Sequence, residues 1–140
     1  MAAKITIVDY GLGNLVSVKN AFHFLGADVH VGGCPADIYG ADAVVLPGVG
    51  AFKDGMSGLF NAGLINPIHE VVSRGIPFLG ICLGMQMLMS VSHEFGTHQG
   101  LNIIEGEVRS LRSIPELSGS KVPHVGWSQL DVRSNSKDNI

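Results

Sequence analysis

Gly75-Ile76-Pro77-Phe78-Leu79-Gly80-Ile81-Cys82-Leu83-Gly84-Met85-Gln86-Met87-Leu88-Met89 decides the fold of this chain. Pro77 to Ile81 is short, apolar and without alternation, the pattern of a parallel strand covered on both faces. Leu83 to Val91 is apolar almost all round, interrupted only by Gly84, Gln86 and Ser90, and predicts a helix sunk in the protein. Between them stands Gly80-x-Cys82-x-Gly84, a cysteine form of the nucleophile elbow. The turn from strand to helix has to be sharp, and glycines two before and two after Cys82 relieve the crowded backbone. Cys82 would then sit at the carboxyl end of a strand and the amino end of a helix, where positive partial charge favours the thiolate. The amide of Leu83 points toward the same place and is suited to hold an oxyanion. The plain alternative is a buried cysteine in a glycine-rich turn. The strand before and the helix after favour the nucleophile.

Working outward, Lys4–Asp9 reads as a first strand, Gly11–Asn14 as a turn, and Leu15–Leu25 as a helix with apolar residues at 15, 18, 21, 22 and 25, closed by Gly26. Asp28–Gly32 and Ala43–Leu46 are further strands. A helical region follows, broken near Gly63 and restarted at Asn66-Pro67, with asparagine as cap and proline in the first turn. Short connections between alternating strands and helices predict an α/β fold, a doubly wound, mostly parallel sheet with helices on both faces. After Val91 the texture changes: 92–100 reads as a polar loop, while 107–111 and 122–130 read as less regular strands. The polar segment 134–140 has no closing helix, so the expectation is a single domain over 1–140 that is incomplete at its C-terminus, with its last strands missing.

The 140 residues suffice for a real core, and 46% hydrophobic against 15% charged residues exclude disorder. A net charge of −3 without a basic run argues against nucleic acid as partner. No apolar stretch reaches the length of a membrane span, and Met1-Ala-Ala-Lys4 does not read as a signal peptide. Two cysteines, Cys34 and Cys82, suggest no disulfide framework, so the expected compartment is the cytoplasm. No metal or cofactor is expected.

Pro47-Gly48-Val49-Gly50 follows a buried strand, at the sheet edge where ligands gather. Its bare amides could give the second oxyanion donor, with Gly50 the choice, although the tetrapeptide alone fits a simple turn equally well. Gln86, four residues after Cys82, shares its helix face and is either a satisfied core amide or a contact to a polar substrate. Gly11-x-Gly13 lacks the third glycine of a dinucleotide fingerprint, since Val16 stands there. Met85, Met87 and Met89 read as core filler. Cys34 has no second metal-type ligand near it in sequence and reads as incidental. For a base there are His93, His98 and His124 after the thiol, none convincing: His93 and His98 lie in the polar loop and read as solvated, and His124 has no acidic residue after it until Asp131.

Asp9–Leu15, Leu46–Phe52, Gly80–Gln86 and Val122–Trp127 together resemble the class I (triad) glutamine amidotransferases, and among them the glutaminase subunits of imidazole glycerol phosphate synthase, which act in histidine biosynthesis. The resemblance implies that Cys82 attacks the side-chain amide of glutamine to form a thioester and release ammonia. It further implies that Gly50 and Leu83 form the oxyanion hole, that Gln86 contacts substrate, and that the 9–14 loop with Asn14, together with Trp127, faces a cyclase subunit receiving the ammonia. Such subunits carry their catalytic His and Glu in a His-Pro-Glu segment beyond this stretch, and the 140 residues contain none. Trp127-Ser128 also replaces the usual Trp-Asn. The 140 residues by themselves are therefore expected to be nearly inactive. Two other readings are a non-catalytic cyclase-binding subunit and a stand-alone cysteine hydrolase using His93 or His98.

Overall fold

The computed structural model describes residues 3–119, 121–129 and 131. The chain divides into two units, Met1–Arg109 and Ser110–Ile140. In the first, strands β1 (Lys4–Val8), β2 (Asp28–Gly32), β3 (Ala43–Leu46) and β4 (Phe78–Gly80) form a parallel sheet in the order β2-β1-β3-β4. The register pairs Ile5 with both Val29 and Ala43, and Val44 with Phe78. Because successive strand residues face opposite sides, Ile7 of β1 joins Val29 and Val45 under one layer. There helix α1 (Leu15–Phe24) lays down Leu15, Val18 and Phe22, spaced for one helical face. Val8 turns the other way and joins Val44 and Leu46 in the larger core. That core is filled from α3 (Phe52–Asn61), α4 (Ile65–Ser73) and α5 (Leu83–Met87) by Phe52, Leu59, Ile68, Val71, Leu83 and Met87. Helices thus cover both faces, as the alternating pattern predicts.

Local details follow from residue chemistry. Asn14 starts α1 by accepting the Ser17 amide on its side chain at 3.2 Å. The restart after Gly63 comes two residues earlier than the Asn-Pro pair suggests: Leu64, fully buried, is the cap of α4 in place of Asn66, and the Ile68 amide donates to its carbonyl at 3.0 Å. Asn66 and Pro67 lie inside the first turn, where the missing proline N–H leaves no bond unmade.

The expected helix 83–91 is the largest correction. It ends at Met87, and Met89–Ser92 is strand β5. β5 pairs antiparallel with β6 (His98–Gln99) and parallel with β7 (Ile104–Val108), giving a second sheet in the order β6-β5-β7. An apolar run of this length suits either helix or strand. Here distant partners decide: the amides of Leu101 and Ile103 donate to the carbonyls of Met87 and Leu88 at 2.8 and 2.9 Å. For the same reason the expected polar loop 92–100 holds the return strand of a hairpin. The strand expected over 107–111 is displaced to Ile104–Val108 by its pairing with β5.

In the second unit Leu111–Ser113 and Pro115–Leu117 are single 3-10 turns. The strand expected over 122–130 does not form in the described residues 122–129, which are exposed and find no ladder partner in their unit. The segment 134–140 lies outside the described residues.

Helix α2 (Pro35–Tyr39) has no counterpart in the sequence reading. Cys34, read as incidental, is part of its cap: Asp37 accepts the Cys34 amide at 3.1 Å and the Cys34 thiol at 3.0 Å on one carboxylate oxygen. His30 of β2 meets the other at 2.9 Å. The Cys34 thiol, then His30, then the Cys34 amide lower the Asp37 pKa from 3.8 to about 2. A carboxylate lowered in this way contributes stability that is fully present above pH 3.8 and lost as pH falls through about 2. Asp37→Asn is therefore expected to cost about 1 kcal/mol at neutral pH, the usual worth of a helix cap. In urea denaturation series the difference from the parent protein should vanish near pH 2; a difference unchanged down to that pH would contradict the assignment.

Candidate active site

The sheet's carboxyl edge brings three loops together, those following β1, β3 and β4. At the last, Cys82 has φ 55° and ψ −116°, a conformation that residues other than glycine adopt only under strain of about 1–3 kcal/mol. Neighbouring bonds hold it there: the Ile81 amide donates to the Leu46 carbonyl at 2.9 Å, Gly84 to Ile81 at 3.0 Å, and Gln86 to Cys82 at 3.1 Å. The flanking glycines are required by contact, not by a left-handed conformation. A Cβ on Gly80 would come within 2.7 Å of the Met85 Cα, and one on Gly84 would overlap the Leu46 carbonyl oxygen. Strand, turn and helix therefore close against the end of β3, and the thiol is left exposed. It is not packed into the core.

The residue of the 47–50 segment that touches this elbow is Gly48. It is buried, and a Cβ there would stand 2.9 Å from the Leu83 Cβ and 3.1 Å from the Gly84 nitrogen, and would collide with the Tyr10 hydroxyl. Gly50 lies two residues on, exposed, at φ 97° and with open space around its Cα. Among the described residues neither the Leu83 amide nor the Gly50 amide donates a hydrogen bond, so both remain available to a ligand. Gln86 is half-buried on the short helix α5. With only five residues, α5 offers its first-turn amides to the site, not the long dipole that a helix to Val91 would carry.

Sequence reasoning passed over two residues here. The Tyr10 hydroxyl, buried at the end of β1, donates to the Pro47 carbonyl at 2.8 Å. Burial, and after it the neighbouring Cys82, push its pKa up to about 12. Glu94, just after β5, accepts the Phe52 amide at 2.7 Å and so caps α3 two residues past Gly50. Its own amide donates to the hydroxyl of the fully buried Ser92 at 3.2 Å. The Tyr10–Pro47 and Phe52–Glu94 bonds each join residues about forty positions apart, and no local motif announces them.

The remaining residues fall elsewhere. Asn14 is exposed and caps α1; Trp127, fully exposed, belongs to the second unit. His93 faces Glu107 at 3.4 Å, and the buried His98 Nε2 lies beside Gly96. Among the described residues no histidine hydrogen-bonds Cys82, no group of His, Cys, Asp or Glu is arranged to hold a metal, and no helix is long and apolar enough to cross a membrane.

The chain is 50% identical over 138 residues to the imidazole glycerol phosphate synthase subunit HisH 1 of Legionella pneumophila (strain Paris), an alignment covering 97% of the chain and 64% of that protein. It is 50% identical over 126 residues to the HisH subunit of Moorella thermoacetica, covering 90% of the chain and 58% of the relative. Against the HisH subunit of Geobacter sulfurreducens the figures are 47% over 132 residues, 93% and 63%. The chain thus spans a little under two thirds of the length of these relatives. A peptidase E protein from Listeria monocytogenes EGD-e shares the fold, with a TM-score of 0.55 at 16% identity over 64% of the chain and 50% of that structure. An exposed thiol on a strained strand-to-helix turn fits the family model for class-I glutamine amidotransferases, which matches residues 6–136, and it is to this family that the chain belongs.

Proposed function

We propose that this chain carries the nucleophilic half of a glutaminase site that supplies ammonia to the cyclase of imidazole glycerol phosphate synthase. The observation that carries the reading is Cys82, exposed at φ 55° between a parallel strand and a helix, with the undonated Leu83 amide beside it. In this account the Cys82 thiolate attacks the side-chain amide carbon of glutamine. A C–S bond forms, and the carbonyl oxygen takes up negative charge that the amides of Leu83 and Gly50 stabilise. Collapse breaks the C–N bond. The proton taken from the thiol goes to the leaving nitrogen, which departs as ammonia, and water then hydrolyses the thioester to glutamate. The proton carrier is the histidine of the His-Pro-Glu segment that the resemblance places beyond this stretch. His93 and His98 are poorly placed for the task, the first turned to Glu107 and the second enclosed beside Gly96. Gln86 contacts the polar end of glutamine. The 9–14 loop with Asn14, and Trp127, face the cyclase. The compartment is cytoplasmic.

The test is the nitrogen source of the cyclase. With protein that also carries the His-Pro-Glu segment added, glutamine should replace ammonium salts in supporting cyclase turnover, with glutamate formed in equal amount. Turnover supported only by ammonium would overturn the reading.

A further inference from the structure

We propose that Tyr10 is a positioning residue of the site, its hydroxyl fixing the orientation of the Pro47–Gly48 peptide and, through it, of the amides that follow. This rests on the reading of Cys82 as the glutaminase nucleophile.

The segment after β3 has a conformational problem. Two of its four residues are glycine, and Gly50 stands at φ 97°, so the backbone has more freedom than a preorganised donor loop can tolerate. A peptide unit is planar, so holding its carbonyl also sets the direction of its N–H. The Pro47 carbonyl and the Gly48 amide form one such unit, and the Tyr10 hydroxyl donates to that carbonyl at 2.8 Å. Pro47 and Gly48 are buried, so no bulk water competes for the bond. Val49 and Gly50, next in the chain, are exposed. The clamp therefore acts at the last buried peptide before the loop opens toward solvent.

The surroundings are shaped for this tyrosine. A Cβ on Gly48 would strike its hydroxyl, and one on Gly58 of α3 would come within 2.9 Å of its ring Cδ2. Two glycines, on the loop and on the helix behind it, leave the space that the ring and hydroxyl fill. With its pKa pushed up to about 12 by burial and by Cys82, the hydroxyl remains a donor throughout the working pH range. Tyr10 touches no reacting atom in this scheme and acts only through the backbone it holds.

Tyr10→Phe separates this role from simple packing, because the ring stays and only the donor is lost. Two probes of Cys82 are compared in the protein. Iodoacetamide alkylates the thiolate at a methylene carbon and needs no oxyanion donor. The γ-semialdehyde of glutamate adds the thiol to its carbonyl: a C–S bond forms, and the oxygen gains the thiol proton as a hemithioacetal held by those donors. The expected result is a loss of about tenfold to a hundredfold in aldehyde affinity, with the iodoacetamide rate within about twofold of the parent. Amide exchange at residues 48–50 should also accelerate relative to the sheet. Unchanged aldehyde affinity overturns the proposal, and so does an equal loss with both probes, which would mark a general structural role. If the parent protein fails to bind the aldehyde at Cys82, the underlying glutaminase reading fails instead.

Discussion

Cys82→Ser, made in protein that also carries the His-Pro-Glu segment, should lower glutamine hydrolysis by about four to six orders of magnitude while leaving the protein folded. The first half of that expectation follows from chemistry. A hydroxyl at the same position ionises far less readily than a thiol, and losing one member of a nucleophile–base unit costs nearly as much as losing the unit. The second half follows from the structure. The residue is exposed, its backbone is held by the bonds of Ile81, Gly84 and Gln86, and serine is close in size. The thermal midpoint should stay within a few degrees of the parent, an effect of about 1 kcal/mol or less. Glutamate release at saturating glutamine, with the cyclase present, gives the measurement. Cys34→Ser is the internal control: it alters the α2 cap and should leave turnover unchanged. Retained turnover in Cys82→Ser would remove the basis of the mechanism.

The largest effect on stability is expected from Gly84→Ala. Its added methyl would occupy the position of the Leu46 carbonyl oxygen, which already accepts the Ile81 amide at 2.9 Å. Neither side can yield cheaply, because both atoms belong to backbone at the junction of β3 with the elbow. Overpacking of a core usually costs about 1–3 kcal/mol, and with backbone on both sides the upper end or beyond is expected, about 3 kcal/mol or more. Gly63→Ala provides the comparison. Gly63 has φ 67° and open space around it, so only the conformational cost of about 1 kcal/mol applies. Urea unfolding of the two variants should rank them in that order. Similar midpoints would mean that the elbow is not pressed against Leu46 as described.

The parts of the fold that could be read in advance are those whose signals are local. β1, β3 and β4 are short, mainly apolar runs, β2 alternates valine with polar residues, α1 keeps its apolar residues on one face, and the glycines around Cys82 mark a tight turn within five residues. The strands' parallel order follows from the lengths of their connections. What escaped depends on partners far along the chain. Met89–Ser92 alternates apolar and polar residues over only four positions, too few to stand out from the helical run before it, and its pairing with His98–Gln99 and Ile104–Val108 makes it a strand. Helix α2 is five residues long, too short for a periodic signal, and its cap draws on His30 from a neighbouring strand. Within the site, Cys82 and the two glycine-rich loops announce themselves by spacing. Tyr10 and Glu94 do not: each earns its place through one hydrogen bond to backbone about forty residues away. Gly48, not the more exposed Gly50, proved to be the point where the loop meets the elbow, a contact set by the burial of Tyr10 and Leu83.

The two free, exposed thiols make a direct test possible, because Cys34, held in the α2 cap, reports labelling at a thiol outside the site. The protein is treated with a glutamine-shaped chloroketone, with and without excess glutamine, and the label on each cysteine is measured by peptide mass spectrometry. Labelling concentrated on Cys82 and suppressed by glutamine, with Cys34 unaffected by either, is the result this account predicts. Equal labelling of both thiols, or labelling of Cys82 that glutamine does not slow, would contradict it.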